Sequence, residues 1–496
     1  MISSARTACL DGFSALPVEV QVDLGSGLPV FAIVGLTDRA IQEARERVRS
    51  ALRNSDFGFP QHRVTVNLAP AEVRKEGTAF DLAIAVAILR ARGHQLGTPR
   101  AGFVGELGLD GTVRSTRGVL PMCLRLAAEG AAPIFVPGAN AEEALASGAE
   151  VFAVNSLGEL VAHLRGEAVL ASPWRAPRAP EPAPVIDLAD VQGQHVPKRA
   201  LEIAAAGGHH ILLAGPPGAG KSMLARAVVG LLPDLAPEAA REVTAIHSVA
   251  GLLARPGLVR RPPLRSPHHT ISMAGLIGGR HAAMPGELCL AHRGVLVMDE
   301  LPEFHRDCLE ALREPLEEGR LRVGRAAGTR VLPASFILVA TANPCPCGRA
   351  GGGGDSLCSC APDVVARYQR RVSGPFRDRV DLALEVRPVV LKQLPGARDG
   401  ETTLEVASRV AAARAVQAAR QGEGRLNASL SPAQLGEVCE LEPGARRLVP
   451  RLTRSHALSG RGFHGLFRLA RTIADLEARG RVSARDLLEA GEYRGG

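Results

Sequence analysis

Gly215-Pro216-Pro217-Gly218-Ala219-Gly220-Lys221-Ser222 decides how the rest of the chain is read. The octet fits G-x-x-x-x-G-K-[ST], and its flanks have the matching character. Ile211 to Ala214 is an apolar run suited to a strand, and a helical pattern begins at Ser222. Glycines in such a loop let backbone N–H groups close around phosphate oxygens, and the following helix N-terminus adds its dipole. Lys221 is expected to reach the outer phosphates of ATP and Ser222 to ligate Mg²⁺. Lys221 is one of only four lysines, with Lys75, Lys198 and Lys392, so arginine carries nearly all the positive charge.

Two further apolar runs, Val295 to Met298 and Ile337 to Ala340, lack alternation and read as parallel strands buried on both faces. The first ends in Asp299-Glu300, the pattern of a Walker B strand: Asp299 is expected to hold Mg²⁺ through water and Glu300 to polarise the attacking water. The second runs into Thr341-Ala342-Asn343, where Asn343 is the expected sensor at a strand tip. These motifs are similar to those of AAA+ ATPases, and the similarity implies further roles. Arg379, in Phe376-Arg377-Asp378-Arg379-Val380-Asp381, falls where AAA+ rings present an arginine finger to the neighbouring subunit's nucleotide. Arg461 and Arg468 stand about two turns apart on one expected helix; either could reach back to the γ-phosphate, with Arg461 favoured.

Farther from the loop, composition sets the domain limits. Pro173, Pro177, Pro180, Pro182 and Pro184 exclude both helix and central strand, so 171–185 is expected to be a linker. Before it, Val18 to Leu24, Val64 to Leu68 and Ile134 to Val136 read as strands, and Ala40 to Leu52 and Phe80 to Ala91 as helices, giving an α/β domain over 1–170. After it, 186–390 is expected to form a P-loop AAA+ core around a parallel sheet. The helical patterns of Thr403 to Gln421 and Phe463 to Glu477 predict a separate lid over 391–496. Hydrophobic residues are 46% of the chain but aromatics only 3%, so the cores must be built from Ala, Val, Leu and Ile. The net charge of +8 permits a polyanionic partner without demanding one. No apolar stretch is long enough to span a bilayer, and Met1 to Phe13 has no cationic segment followed by an apolar run; with nine cysteines, this predicts a reducing, cytoplasmic setting.

The strings Asp190 to Gln194 (DVQGQ), Lys198 to Gly208 (KRALEIAAAGG), Ser266 to Gly279 (SPHHTISMAGLIGG), Pro285-Gly286-Glu287, Asp299 to Phe304 (DELPEF), Asn343 to Gly348 (NPCPCG) and Ser373-Gly374-Pro375 go beyond generic nucleotide motifs. Together they resemble the YifB/ComM family of magnesium-chelatase-like AAA+ proteins across nearly the whole chain. That resemblance implies an ATP-driven homo-oligomer, a hexameric ring. For the ComM branch it also implies a DNA motor that promotes branch migration during natural transformation. Asp190 to Gln194, and in particular Gly193 and Gln194, would line the adenine pocket. The first domain resembles the Lon-protease-like fold in Gly105 to Gly111 (GELGLDG) and Lys75 to Asp81 (KEGTAFD), and it also resembles a domain of the RadA recombination protein. A Lon-type peptidase needs a serine and an activating lysine. Ala79 stands at the serine position and no lysine lies between Lys75 and Lys198, so proteolysis is excluded.

Three features carry two readings each. Cys345-x-Cys347 and Cys358-x-Cys360 could close around Zn²⁺, although C-x-C is tighter than the usual C-x₂-C, or they could remain free thiols. Arg320-Leu321-Arg322-Val323-Gly324-Arg325 and Gly328-Thr329-Arg330-Val331 predict a β-hairpin. The resemblance implies that this hairpin projects into a ring pore, where Arg320, Arg322, Arg325 and Arg330 would track DNA phosphates; otherwise it is a solvated edge. His268 and His269 fall in a segment resembling the clade's helix-2 insert, where surface or DNA-facing placement is expected rather than metal ligation. The leading expectation is a ring-forming ATPase acting on single-stranded or branched DNA. The alternative is a chelatase-type AAA+ subunit remodelling a protein partner.

Overall fold

The computed structural model describes residues 2–72, 74–172, 186–253, 257–279, 284–325, 328–350, 358–388, 400–455 and 459–494. The expected linker therefore lies, but for 171–172, outside the described residues. The chain divides into two compact units. One comprises residues 1–180, 236–260 and 281–285; the other comprises 181–235, 261–280 and 286–496.

The first unit is built on a mixed sheet whose order is Phe31–Val34, Arg63–Ala69, Ser14–Gly25, Ile2–Asp11, Gly102–Phe103, Ile134–Pro137, Val151–Val154. The two long strands pair antiparallel from Ile2↔Asp23 to Asp11↔Ser14, and the last four strands run parallel. Helix Arg39–Asn54 starts at Asp38, whose carboxylate accepts from the Ile41 N–H at 2.9 Å, a side-chain cap of the usual kind. Helix Asp81–Ala91 (DLAIAVAILRA) is apolar on nearly every face, and only Arg90 escapes full burial. Its Asp81 is paired with Arg47 at 2.6 Å. Lys75, fully buried, donates from Nζ to the Pro70 carbonyl.

The second unit holds a five-stranded sheet, all parallel, in the order Leu264–Arg265, Val295–Met298, Ile337–Ala342, Ile211–Ala214, Leu382–Glu385. The expected strands are present, and the absence of alternation has its physical cause. Val295, Val297, Ile337 and Val339 enter one core, while Leu296, Met298, Leu338 and Ala340 enter another on the opposite face. The register aligns Ala214 with Ala342 and Met298 with Ala340, so the carboxyl ends of three neighbouring strands finish side by side. That edge is where ligands bind in open α/β sheets.

The compact units cut the chain differently from the limits read in the sequence. Helix Pro237–Ala250 falls within 186–390 yet groups with the first unit. There Ser248 hydrogen-bonds the buried Glu143, whose carboxylate also accepts from the Leu120 N–H at 2.8 Å. The C-terminal helices, expected as a separate lid, contribute to the same core as the sheet: Val406, Val410, Leu466, Leu469 and Ile473 pack with Leu201, Ile203, Leu213 and Leu224. Shared apolar burial, rather than chain order, sets these limits. Among the described residues, no helix is long and apolar enough to cross a membrane.

Candidate active site

The octet forms a tight loop between strand Ile211–Ala214 and helix Lys221–Leu231. Gly218 and Gly220 have φ of +78° and +86°, the left-handed region that favours glycine. Gly215 is required for another reason: a Cβ there would lie 2.2 Å from the Val386 carbonyl oxygen. Lys221 is largely buried. Its Nζ donates to the carbonyls of Gly215 (2.7 Å) and Pro216 (2.8 Å) and to Asn343 Oδ1 (3.1 Å). Burial lowers its pKa, with Asp299 and Glu300 pulling the other way. The structure thus brings the expected phosphate lysine and the expected sensor into direct contact.

Ser222 donates from Oγ to Asp299 Oδ2 at 2.8 Å. A hydroxyl and a carboxylate held together at the start of a phosphate-loop helix form the hard-oxygen pair that Mg²⁺ takes, so these residues fit the ion. The other carboxylate oxygen of Asp299 accepts from the Thr341 hydroxyl, which in turn accepts from the Glu300 N–H at 3.0 Å. Thr341 was not singled out in the sequence. The available signal was its place two residues before Asn343, on the same side of the strand end. Glu300 sits at φ 56°, a conformation that costs a non-glycine residue about 1–3 kcal/mol. The Thr341 hydroxyl bond to its N–H helps to hold this turn, and the Glu300 carboxylate is half-exposed.

Gln194 lies at the N-terminus of helix His195–Gly207, also at positive φ, and its side-chain amide donates to Ala219 O (3.0 Å) and Arg387 O (2.8 Å). It therefore touches the phosphate loop itself and braces it to the sheet edge; Gly193 precedes it at φ +60°.

Each of the three arginines is engaged within its own chain. Arg379 is not solvated: its side chain is 11% exposed, its Nη2 pairs with Glu317 at 2.9 Å, and its buried Nε has no partner among the described residues. Arg461, expected to reach back to the phosphate, instead pairs with the same Glu317 at 2.5 Å, and among the described residues it makes no bond to the phosphate loop. Arg468 gives Nε and Nη2 to the Leu430 carbonyl, at 2.9 and 2.5 Å, and so braces the helical region rather than the nucleotide loop.

The hairpin forms over Arg320–Arg325 and Gly328–Pro333. Its arginines do not make one uncompensated stripe. Arg320 pairs with Glu318 at 2.8 Å, and Arg322 pairs with Glu314 at 2.7 Å and Glu318 at 2.9 Å. These two guanidiniums hold the Glu318 carboxyl below its usual range. Arg330 stands opposite Val323, on the face of the buried Leu321 and Leu332, and the Arg325 backbone is in register with Gly328. His269 lies with Nδ1 3.9 Å from Glu300 Oε2, and its ring is tilted against that of His268 with centroids 4.0 Å apart. His268 bonds Thr270 Oγ1 at 2.9 Å.

The four cysteines do converge: the sulfurs of Cys345, Cys347, Cys358 and Cys360 all lie within 4.8 Å of one another. Cys345 is 3.3 Å from Cys347 and 3.6 Å from Cys358, and Cys347 is 3.5 Å from Cys358. A disulfide needs about 2.05 Å. With Zn–S bonds of about 2.3 Å, a tetrahedral site has sulfur-to-sulfur edges of roughly 3.8 Å, so this set fits Zn²⁺.

Comparison with known proteins agrees with this geometry. The family model described as magnesium chelatase, subunit ChlI, matches residues 187–394, and those for subunit ChlI of Mg-chelatase and for the ChlI C-terminal region match 20–140 and 400–494. A Mycobacterium tuberculosis protein is 42% identical over 96% of this chain and 95% of its own length. The YifB protein of Escherichia coli is 40% identical over 99% and 97%, and the competence protein ComM of Haemophilus influenzae 39% over 97% and 95%. A phosphate loop beside a carboxylate-ending strand and a sensor asparagine, in a chain alike from end to end, makes this protein a member of the YifB/ComM family of magnesium-chelatase-like AAA+ ATPases.

Proposed function

We propose that the protein is a ring-forming, ATP-hydrolysing motor of the cytoplasm that moves single-stranded or branched DNA, a branch-migration helicase or translocase acting in recombination during natural transformation. The observation that carries the ATPase half is the joined set Lys221, Asn343, Ser222, Asp299, Thr341 and Glu300 at the carboxyl edge of one sheet. Lys221 exchanges its bonds to Gly215 O and Pro216 O for phosphate oxygens of ATP. Ser222 and Asp299 hold Mg²⁺, which supplies charge neutralisation at the phosphates. Glu300, held by Thr341 through its backbone, orients the attacking water and takes its proton, while Asn343 positions that water from the other side. Arg379 reaches the nucleotide of the adjacent subunit in a hexameric ring. The four cysteines hold a structural Zn²⁺.

The DNA half is supported by the full-length similarity to the competence protein ComM and by the arginine-bearing hairpin. The second reading, a chelatase-type subunit that remodels a protein partner, is favoured by the charge compensation of Arg320 and Arg322, which leaves less positive field for phosphates. ATPase rate and DNA retention separate the two. Turnover stimulated by forked duplex, with binding that weakens steeply in salt, supports the DNA motor. Turnover indifferent to DNA supports the alternative.

A further inference from the structure

The cysteine cluster is joined to the nucleotide site at two points. Cys345, fully buried, follows two residues after Asn343, the side chain that accepts from Lys221 Nζ. The turn Cys345-Pro346-Cys347-Gly348 closes through the Gly348 N–H donating to the Cys345 carbonyl at 2.9 Å, and it delivers Gly348 against the phosphate loop. Gly348 has φ +79°, and a Cβ on it would stand 2.5 Å from both Cδ and Cγ of Pro217. The Gln369 side-chain amide, donating to Pro344 O at 3.2 Å, steadies the same turn from outside. Strand tip, cysteine turn and phosphate loop are thus stacked in series.

We propose that a Zn²⁺ ion held by Cys345, Cys347, Cys358 and Cys360 fastens this turn against Pro217, so that the shape of the phosphate loop, and with it nucleotide affinity, depends on the metal. Cys345 and Gly348 are buried, but Pro346 is exposed and Cys347 only half-buried, so the outer half of the turn lacks burial to hold it. Four thiolate ligands add binding free energy directly to the folded arrangement. The ion takes no part in the reaction; it sets where Asn343 and Pro217 stand. The inference rests on the nucleotide reading of the loop and on zinc as the metal.

The test uses the full-length protein. Zinc per chain is measured by plasma mass spectrometry, and the site is reconstituted with Co²⁺ to read the thiolate charge-transfer and tetrahedral d–d bands. Affinity for a fluorescent ATP analogue is titrated in parallel. The double variant Cys358→Ser, Cys360→Ser removes two ligands. The variant Gly348→Ala keeps all four ligands but pushes the turn off Pro217, and its retained zinc reports that the site still folds. The expected result is one zinc per wild-type chain, lost from the double variant, with nucleotide affinity at least tenfold weaker in both variants. Unchanged affinity in both, with zinc lost as expected from the first, overturns the coupling and leaves the metal site standing. Neither zinc nor cobalt spectra in a wild-type protein that binds nucleotide overturns the inference at its metal. Zinc-loaded wild-type protein that binds no nucleotide refutes the nucleotide reading instead.

Discussion

Arg379 and Arg461 meet on one carboxylate: Glu317 receives Nη2 of the first at 2.9 Å and Nη2 of the second at 2.5 Å. The two guanidiniums are therefore held together by one carboxylate, Arg379 nearly buried and Arg461 half-exposed. On the proposed arginine-finger reading, a phosphate brought to Arg379 by an adjacent subunit would meet Arg461 as well and would displace Glu317. Arg379→Ala is expected to leave ATP affinity within a few-fold of wild type while lowering kcat by on the order of 10³. Arg461→Ala should behave in the same way. Single-turnover hydrolysis beside equilibrium nucleotide binding checks this, and a selective loss of affinity in Arg461→Ala would return that residue to its own protomer's nucleotide.

Glu300→Gln preserves the backbone N–H that Thr341 holds and removes only the proton acceptor. ATP should bind normally while hydrolysis falls by roughly 10²–10⁴-fold. Lys221→Ala should instead lose nucleotide binding outright, since Nζ is the cation of the loop. Comparable turnover in either variant would sink the assignment of this site.

The hairpin carries its own countercharge, and that gives a charge-neutralisation test of the DNA reading. Glu314→Gln with Glu318→Gln removes the partners of Arg320 and Arg322. On the DNA motor reading, retention of single-stranded DNA rises, and the slope of log affinity against log salt steepens by about 0.7 per freed arginine. Arg320→Ala with Arg322→Ala should move both quantities the opposite way. No change in either pair removes the hairpin from the DNA interface.

His210 supplies a pH dependence whose sign is fixed by its bond. Its Nδ1 accepts from the Leu338 N–H at 3.1 Å, which requires a neutral ring, and burial lowers its pKa below the ordinary value near 6.5. The unfolded chain therefore binds the extra proton first on acidification. Stability from this group is complete above about pH 6.5 and declines below it, by at most ~1.4 kcal/mol per pH unit. His210→Asn, which keeps an acceptor but does not titrate, should flatten the urea-midpoint profile between pH 6.5 and 5; an unchanged slope would show that another group dominates.

Much of the nucleotide site was legible in the sequence because its parts are local. The octet, the apolar run before Asp299 and the polar tip after Ile337 each occupy a few consecutive residues with a fixed chemical purpose. The arginines were legible as residue types but not as partners. Nothing near Arg461 in the chain announces Glu317, which lies far from it in sequence.

The sequence by itself determined the strands, the phosphate loop and the residues fit to bind ATP and Mg²⁺, because periodicity and glycine placement act over a handful of neighbours. Only the tertiary structure decided that Thr341 bridges Asp299 to the Glu300 backbone, that Arg379 shares Glu317 with Arg461, that Gly348 presses on Pro217, and that helix Pro237–Ala250 groups with the first unit. Those relations follow from strand order, register and shared apolar burial, which join segments distant in the chain and leave no mark in the residues beside them.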